Sequence, residues 1–161
     1  MRRFGFVFLL GACAAPSAPK APATSLPEYE LEGVAGPAAS LKTALSGSVG
    51  VLDLWATWCN ACERERPKLA RLDAAYRDQG LRVIGLNVGE TPSVVRAYLA
   101  ENSIPYAVYL DPEFRVADAL GDHRLPTILV IDRRGRVVQR AASLDQQTLA
   151  LVKSLLAAPR E

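Results

Sequence analysis

The chain has few cysteines, one histidine and no long apolar run, and these shortages exclude several classes of protein. Three cysteines among 161 residues are too few to hold together a disulfide-rich scaffold. Cys59 and Cys62 form one C-x-x-C pair, which leaves Cys13 for a separate task. The pair is typical of a redox site or of part of a metal site.

The charge balance offers no strongly basic or acidic surface. The formal net charge is +2, from 19 basic and 17 acidic residues, and Arg2 and Arg3 account for the whole excess. A nucleic-acid partner would favour a basic face, so none is expected. The length suits one domain with one hydrophobic core, and no internal repeat is visible.

The first residues carry an export pattern rather than a membrane span. A basic start precedes an apolar run over residues 4–12, and these nine residues fall short of the roughly 20 that cross a bilayer. The segment ending Leu10-Gly11-Ala12-Cys13 resembles a bacterial lipobox. We therefore predict a lipoprotein signal peptide over residues 1–12 and lipidation of Cys13; plain secretion is the alternative.

A proline- and alanine-rich segment follows, and it has too few large apolar side chains to fold. We predict that residues 13–28 contain the lipidated cysteine and a tether, and that residues 29–161 form the folded domain. The predicted location is the periplasmic or extracytoplasmic face of a membrane, where the lipid anchors the protein.

Hydrophobic periodicity in the folded part predicts alternating strands and helices. The predicted strands are Val49–Trp55, Leu81–Val88 and 106–110, the helices are 64–79, 92–102 and 112–120, and a hairpin (127–132 and 136–141) and a helix (144–157) close the chain. The alternation predicts an α/β fold with a parallel sheet to which the hairpin adds antiparallel strands.

The C-x-x-C pair follows the central strand, where a helix is expected to begin. Two intervening residues allow the sulfurs to form a disulfide, and a helix N-terminus lowers the pKa of a thiol from its ordinary value of about 8.5. Cys59 is then the nucleophile, and Cys62 is the thiol that resolves a mixed disulfide. The cysteine pair is not expected to form half of a zinc site, because the chain has no second cysteine pair and only one histidine to complete the four ligands.

The residues around the pair resemble a known family. The sequence W-A-T-W-C-N-A-C over residues 55–62, followed by Glu65 and Pro67, is similar to the TlpA/ResA-type family of exported thioredoxin-like proteins, and Leu-Pro-Thr at 125–127 extends the likeness. The resemblance implies a thioredoxin fold, a mixed central sheet flanked by helices, with an αβ insertion over residues 91–120. It implies disulfide exchange without a cofactor or metal.

The resemblance also implies partners. They are extracytoplasmic protein dithiols or disulfides, with apocytochrome c during cytochrome c maturation as a candidate, and a membrane-bound thiol reductant. Ala61 stands where relatives usually carry proline, at a position that tunes the reduction potential.

Roles for further residues follow from the resemblance. Asp53, an acid in an otherwise apolar strand, is expected to be protonated by burial and to act as general base for Cys62. Glu65 is expected to modulate the cysteine pKa values. Pro126 is expected to be cis beside the disulfide, where it exposes the Leu125 backbone to substrate, and Trp58 to contact substrate.

Two other functions fit the sequence. Cys59, Cys62 and His123 are soft ligands that suit Cu(I), which would make the protein a copper-handling module. A permanent disulfide would instead make it a non-catalytic adaptor.

Overall fold

The structure, a computed structural model, describes residues 25–34 and 37–159. Seven strands form one mixed sheet: β1 Glu30–Gly33, β2 Ala39–Ser40, β3 Val49–Trp55, β4 Leu81–Val88, β5 Ala107–Asp111, β6 Thr127–Ile131 and β7 Val137–Ala141. Their order is β2-β1-β5-β4-β3-β6-β7. Strands β3, β4 and β5 are parallel, and the others pair antiparallel. The predicted mixed sheet is therefore confirmed.

Five helices cover the sheet: α1 Leu41–Ala44, α2 Asn60–Tyr76, α3 Pro92–Glu101, α4 Arg115–Leu120 and α5 Gln146–Ala157. A 3-10 turn, Arg77–Gln79, follows α2 and ends at Gly80, whose left-handed backbone (φ 95°) suits glycine. The two longest predicted strands have the observed bounds, and the helix and strand order agrees from β3 onward.

Strand β3 lies at the centre of the sheet and all seven of its residues are buried. Successive side chains point to opposite faces. Leu52 and Leu54 pack in a cluster with residues of α1 and α4, whereas Val49 and Val51 pack with residues of α2 and α5. Since burying one such side chain is worth about 1.5–3 kcal/mol, β3 is fixed from both sides.

The predicted start was wrong by three or more residues at two helices. Helix α2 begins at Asn60 rather than at residue 64, because Cys59 is its N-cap and the C-x-x-C pair forms its first turn. Helix α4 begins at Arg115 rather than at residue 112, because Phe114 adopts a left-handed backbone (φ 56°) that breaks the helix. The Asp111 carboxylate accepts hydrogen bonds from two N–H groups in the first turn of α4.

Three short elements were not predicted. Strands β1 and β2 and helix α1 have only two to four residues each, too few for a periodic pattern to emerge. They extend the sheet beyond β5, since β1 pairs antiparallel with β5.

Arg133 joins the last hairpin to the last helix. Its guanidinium donates hydrogen bonds to the carbonyl oxygens of Leu155, Leu156 and Ala158, at 2.6, 3.1 and 3.2 Å. These carbonyls lie at the C-terminus of α5, where the intrahelical donors run out and a cation is favourable. The turn between β6 and β7 thereby holds α5 against the sheet.

The described part of the predicted tether contacts the domain. Ser25 forms a β-bridge with Arg136, the Leu26 N–H donates to the Gly135 carbonyl at 3.1 Å, and the Leu26 side chain is buried. The predicted signal peptide over residues 1–12, Cys13 and the rest of the predicted tether lie outside the described residues. In the part of the chain that is described, no helix has the length and apolar character needed to span a membrane.

We expect Leu26→Ala to lower the free energy of unfolding by about 2–3 kcal/mol, because it removes a core side chain. Urea unfolding of the full chain measures this change. Val94→Ala, at an exposed position of α3, is the control and should stay within about 0.5 kcal/mol of wild type. Equal stability of Leu26→Ala and wild type would place residues 25–28 in the tether alone.

Candidate active site

Cys59 and Cys62 are joined by a disulfide at the junction between β3 and α2. Their Cα atoms are 5.3 Å apart. Cys59 keeps 5% of its surface exposed and Cys62 keeps none, so Cys59 is the sulfur nearer to solvent.

At the start of α2, one backbone N–H donates a hydrogen bond to the Cys59 sulfur. Cys59 Sγ accepts a hydrogen bond from the Cys62 N–H at 3.2 Å, and the Cys59 carbonyl accepts from the Glu63 N–H at 3.3 Å. Unpaired N–H groups and the helix dipole favour negative charge at this position.

Glu90 holds the loop that leads to Cys59, and sequence reasoning missed it. Its two carboxylate oxygens accept hydrogen bonds from the Thr57 N–H at 2.7 Å and from the Thr57 hydroxyl at 2.6 Å. The Asn87 amide donates to the same carboxylate at 2.7 Å. Its position in the sequence could have indicated a role at the site, because Glu90 follows β4 at the edge of the sheet where the carboxyl ends of the parallel strands meet.

The two tryptophans occupy different environments. Trp55 is fully buried and packs with the cysteines, whereas Trp58 is 69% exposed beside Cys59. An exposed indole next to the nucleophile is available to a substrate, and its role in substrate contact stays a prediction.

Asp53 is buried in the centre of β3, and neither carboxylate oxygen has a hydrogen-bond partner. Burial raises its pKa to about 7. The positive charge of Arg66 opposes this rise, and the Glu65 carboxyl adds to it. A carboxyl that titrates near neutrality is suited to accept a proton at neutral pH.

Glu65 is buried on α2, as the spacing of its helix predicts. Its carboxylate accepts a hydrogen bond from the Leu144 N–H at 2.9 Å and pairs with Lys68 at 2.7 Å. These contacts hold α2 to the segment that precedes α5. Its influence on the cysteine pKa values stays a prediction.

The Leu125–Pro126 peptide bond is cis, as the resemblance implies. Leu125 packs partly against the cluster that contains both cysteines, so this segment lies beside the disulfide. A cavity of about 140 Å³ opens next to Pro126, and Arg124, Thr127 and Arg140 contribute to its walls.

His123 does not join the cysteines. Its Nε2 lies 3.1 Å from an Asp118 carboxylate oxygen, and its ring packs near Phe114. Within residues 25–34 and 37–159, no three histidine, cysteine or acidic side chains gather as a metal site. The ligand set of the copper hypothesis, with His123 beside Cys59 and Cys62, is therefore wrong for this structure.

Comparison with known proteins identifies several relatives. Residues 20–140 match the model of the AhpC/TSA family. The ResA thiol-disulfide oxidoreductase of Halalkalibacterium halodurans is 31% identical over 111 residues, covering 69% of this chain and 62% of the relative. The ResA of Bacillus subtilis is 32% identical over 113 residues, covering 70% and 63%. The matched region thus spans less than two thirds of these relatives.

Solved structures show the same fold. A Chlorobium tepidum chain assigned as thiol:disulfide interchange protein DsbE has a TM-score of 0.72 and 25% identity, covering 84% of this chain and 95% of that one. The thioredoxin domain of a Bacteroides vulgatus thiol-disulfide oxidoreductase has a TM-score of 0.71 and 21% identity, covering 84% and 99%. The predicted thioredoxin fold and the TlpA/ResA-type likeness are confirmed.

We expect the wild-type protein to lose stability relative to Asp53→Asn as pH rises from about 4 to 7. The unfolded-state carboxyl titrates near 3.8 and the native one near 7, so the native state binds the extra proton between these values. The change should reach about 4 kcal/mol at most.

Urea unfolding of the oxidised protein at pH 4, 6 and 8 measures this change. Asp78→Asn, in the exposed 3-10 turn, is the control and should keep the wild-type pH dependence. A stability difference between wild type and Asp53→Asn that is constant with pH would contradict the expectation.

Proposed function

The chain belongs to the AhpC/TSA family, and from this membership we propose that it is a thiol–disulfide oxidoreductase that acts on protein substrates. The observation that carries the proposal is the Cys59–Cys62 disulfide at the first turn of α2, in which Cys59 is the less buried of the two residues. The names of the ResA and DsbE relatives support the same chemistry.

In the first step, the Cys59 thiolate attacks a substrate disulfide. One bond forms between Cys59 Sγ and a substrate sulfur, the substrate S–S bond breaks, and the second substrate sulfur leaves as a thiolate. The N–H groups at the start of α2 support the ionised form of the nucleophile.

In the second step, the Cys62 thiol gives its proton to the Asp53 carboxylate and attacks Cys59 Sγ. The mixed disulfide breaks, the substrate sulfur that was bonded to Cys59 leaves as a thiolate, and the Cys59–Cys62 disulfide forms. Two electrons have then passed to the substrate. Asp53 suits this role because its burial brings its pKa to about 7, so both protonation states are accessible at neutral pH.

Substrate binding at the cis-proline segment is part of the proposal. An extended peptide would pair with the Leu125 backbone beside Pro126 and bring its sulfur to Cys59. The exposed indole of Trp58 offers apolar contact area on the other side of Cys59.

The redox cycle closes when a dithiol reduces the Cys59–Cys62 disulfide. We assign this task to a membrane-bound thiol protein, and we place the reaction outside the cytoplasm, with lipid on Cys13 as the anchor. The lipobox-like segment at 10–13 supports export. The TlpA/ResA-type resemblance favours apocytochrome c, in cytochrome c maturation, as the substrate.

We expect Cys62→Ser to accumulate a mixed disulfide through Cys59, because the resolving thiol is absent. The full chain in a Cys13→Ser background, which removes the third thiol, is reduced, desalted and mixed with insulin. Nonreducing electrophoresis and mass spectrometry then detect an adduct that dithiothreitol removes.

Cys59→Ser in the same background is the matched control. It should form no adduct under these conditions, and its reduction of insulin should fall to the rate of dithiothreitol alone. An adduct on Cys62 in Cys59→Ser, with none on Cys59 in Cys62→Ser, would reverse the two roles. No adduct and no catalysis in any variant would support a permanent structural disulfide instead.

We expect the full chain, expressed in a bacterial host, to carry lipid and to sediment with membranes. Labelling with a palmitate analogue, followed by fractionation, measures both properties. Cys13→Ser should lose the label and the membrane association, and Cys59→Ser should keep both. An unlabelled wild-type protein in the soluble exported fraction would support plain secretion.

A further inference from the structure

Several buried polar atoms around Asp53 have no hydrogen-bond partner. They are both carboxylate oxygens of Asp53, Trp55 Nε1, the Nε and one Nη of Arg66, and the Tyr106 hydroxyl. Most buried polar groups in proteins are paired, so a concentration of unpaired ones at one place calls for an explanation. We call Asp53, Trp55, Arg66, Tyr98 and Tyr106 the Asp53 cluster.

The cluster occupies one face of the sheet. Asp53 and Trp55 are two residues apart on β3 and point to the same side, which α2 covers. Gly85 of β4 lies opposite Asp53, and a Cβ there would meet Trp55 Nε1 at 3.0 Å and Tyr106 Cε2 at 3.4 Å. The indole and the phenol therefore converge over the strand position next to the acid.

Arg66 brings a positive charge into this space. Its guanidinium carbon lies 4.6 Å from the centre of the Trp55 ring and 4.9 Å from that of Tyr98, and it donates a hydrogen bond to the Tyr98 hydroxyl. The Tyr98 hydroxyl donates in turn to Glu63 at 2.9 Å. Aromatic faces hold the guanidinium at a fixed position through cation–π attraction.

The described residues place no carboxylate oxygen within 4.0 Å of the Arg66 nitrogens, so no close ion pair neutralises this charge. Asp53 is the buried acid on which the charge acts. The other groups that face Asp53 are Glu65 on α2 and Tyr106 just before β5. The Glu65 carboxyl disfavours ionisation of Asp53. Among Arg66, Glu65 and Tyr106, only Arg66 carries a positive charge that favours it.

We propose that Arg66 is a positioning residue for disulfide exchange: clamped between Trp55 and Tyr98, it keeps Asp53 able to ionise and so to take the proton of Cys62. The inference rests on the proposed function for its catalytic meaning. Burial alone would leave Asp53 protonated, and a protonated acid accepts no proton. The positive charge of Arg66 offsets part of the hydration that Asp53 loses on burial. The Asp53 pKa is thereby lowered, and the carboxylate form is populated at neutral pH.

The decisive measurement is the pKa of Asp53 in the oxidised full chain, from the carboxyl carbon shift in an NMR titration. Arg66→Gln should raise this pKa by about one unit or more, because an opposite charge at close range lowers a carboxyl pKa by roughly 1–3 units. Arg66→Lys should restore most of the wild-type value. Arg71→Gln, exposed on the same helix, should leave the value unchanged.

A kinetic measurement connects the pKa to catalysis. After the reduced protein has reacted with a substrate disulfide, the rate at which Cys62 resolves the mixed disulfide depends on pH. The midpoint of this pH dependence should move upward in Arg66→Gln by the same amount as the Asp53 pKa. A structural role for Arg66 would change stability and leave this midpoint in place.

An unchanged Asp53 pKa in folded Arg66→Gln would overturn the proposal. If that variant fails to fold, Tyr98→Phe tests the same contact, because it keeps the ring and removes the hydroxyl that Arg66 binds. Its Asp53 pKa should rise by a smaller amount, and an unchanged value would also overturn the proposal. The titration needs no substrate. If the wild-type protein showed no disulfide exchange, that result would contradict the proposed function but not the effect of Arg66 on the Asp53 pKa.

Discussion

The start of α2 at the end of β3 is the constraint on which the rest of the site depends. Because β3 is buried from both faces, its last residue has a fixed position, and Cys59 follows as the N-cap of the helix. The first turn then brings Cys62 to the same sulfur. Moving this junction by one residue would separate the thiols from the N–H groups that favour a thiolate.

The loop before Cys59 is held by residues from the neighbouring strand rather than by its own sequence. Glu90 binds both polar groups of Thr57, and Gly89 precedes it with a left-handed backbone (φ 74°). A Cβ at Gly89 would lie 2.2 Å from the Phe114 ring, so only glycine fits there. The ends of β3, β4 and β5 are thereby linked around the disulfide.

In the proposed mechanism, Asp53 serves the chemistry at a cost in stability. A carboxylate inside the central strand is unfavourable, and in most strands an apolar residue would replace it. Arg66 reduces the electrostatic cost without forming a close ion pair, since a tightly paired carboxylate would bind its partner rather than a proton. The unpaired polar atoms around the acid fit a proton-transfer role better than a purely structural one.

The sequence alone determined the central strands, the C-x-x-C pair, the acid at position 53 and the proline at 126, because these signals lie within one element or one short motif. Only the tertiary structure decided that Arg66 and Tyr106 lie near Asp53, that Tyr98 contacts Arg66, and that Glu90 holds Thr57. Such contacts join α2, α3 and loops far apart in the chain. They depend on strand register and helix packing, and no local spacing records either.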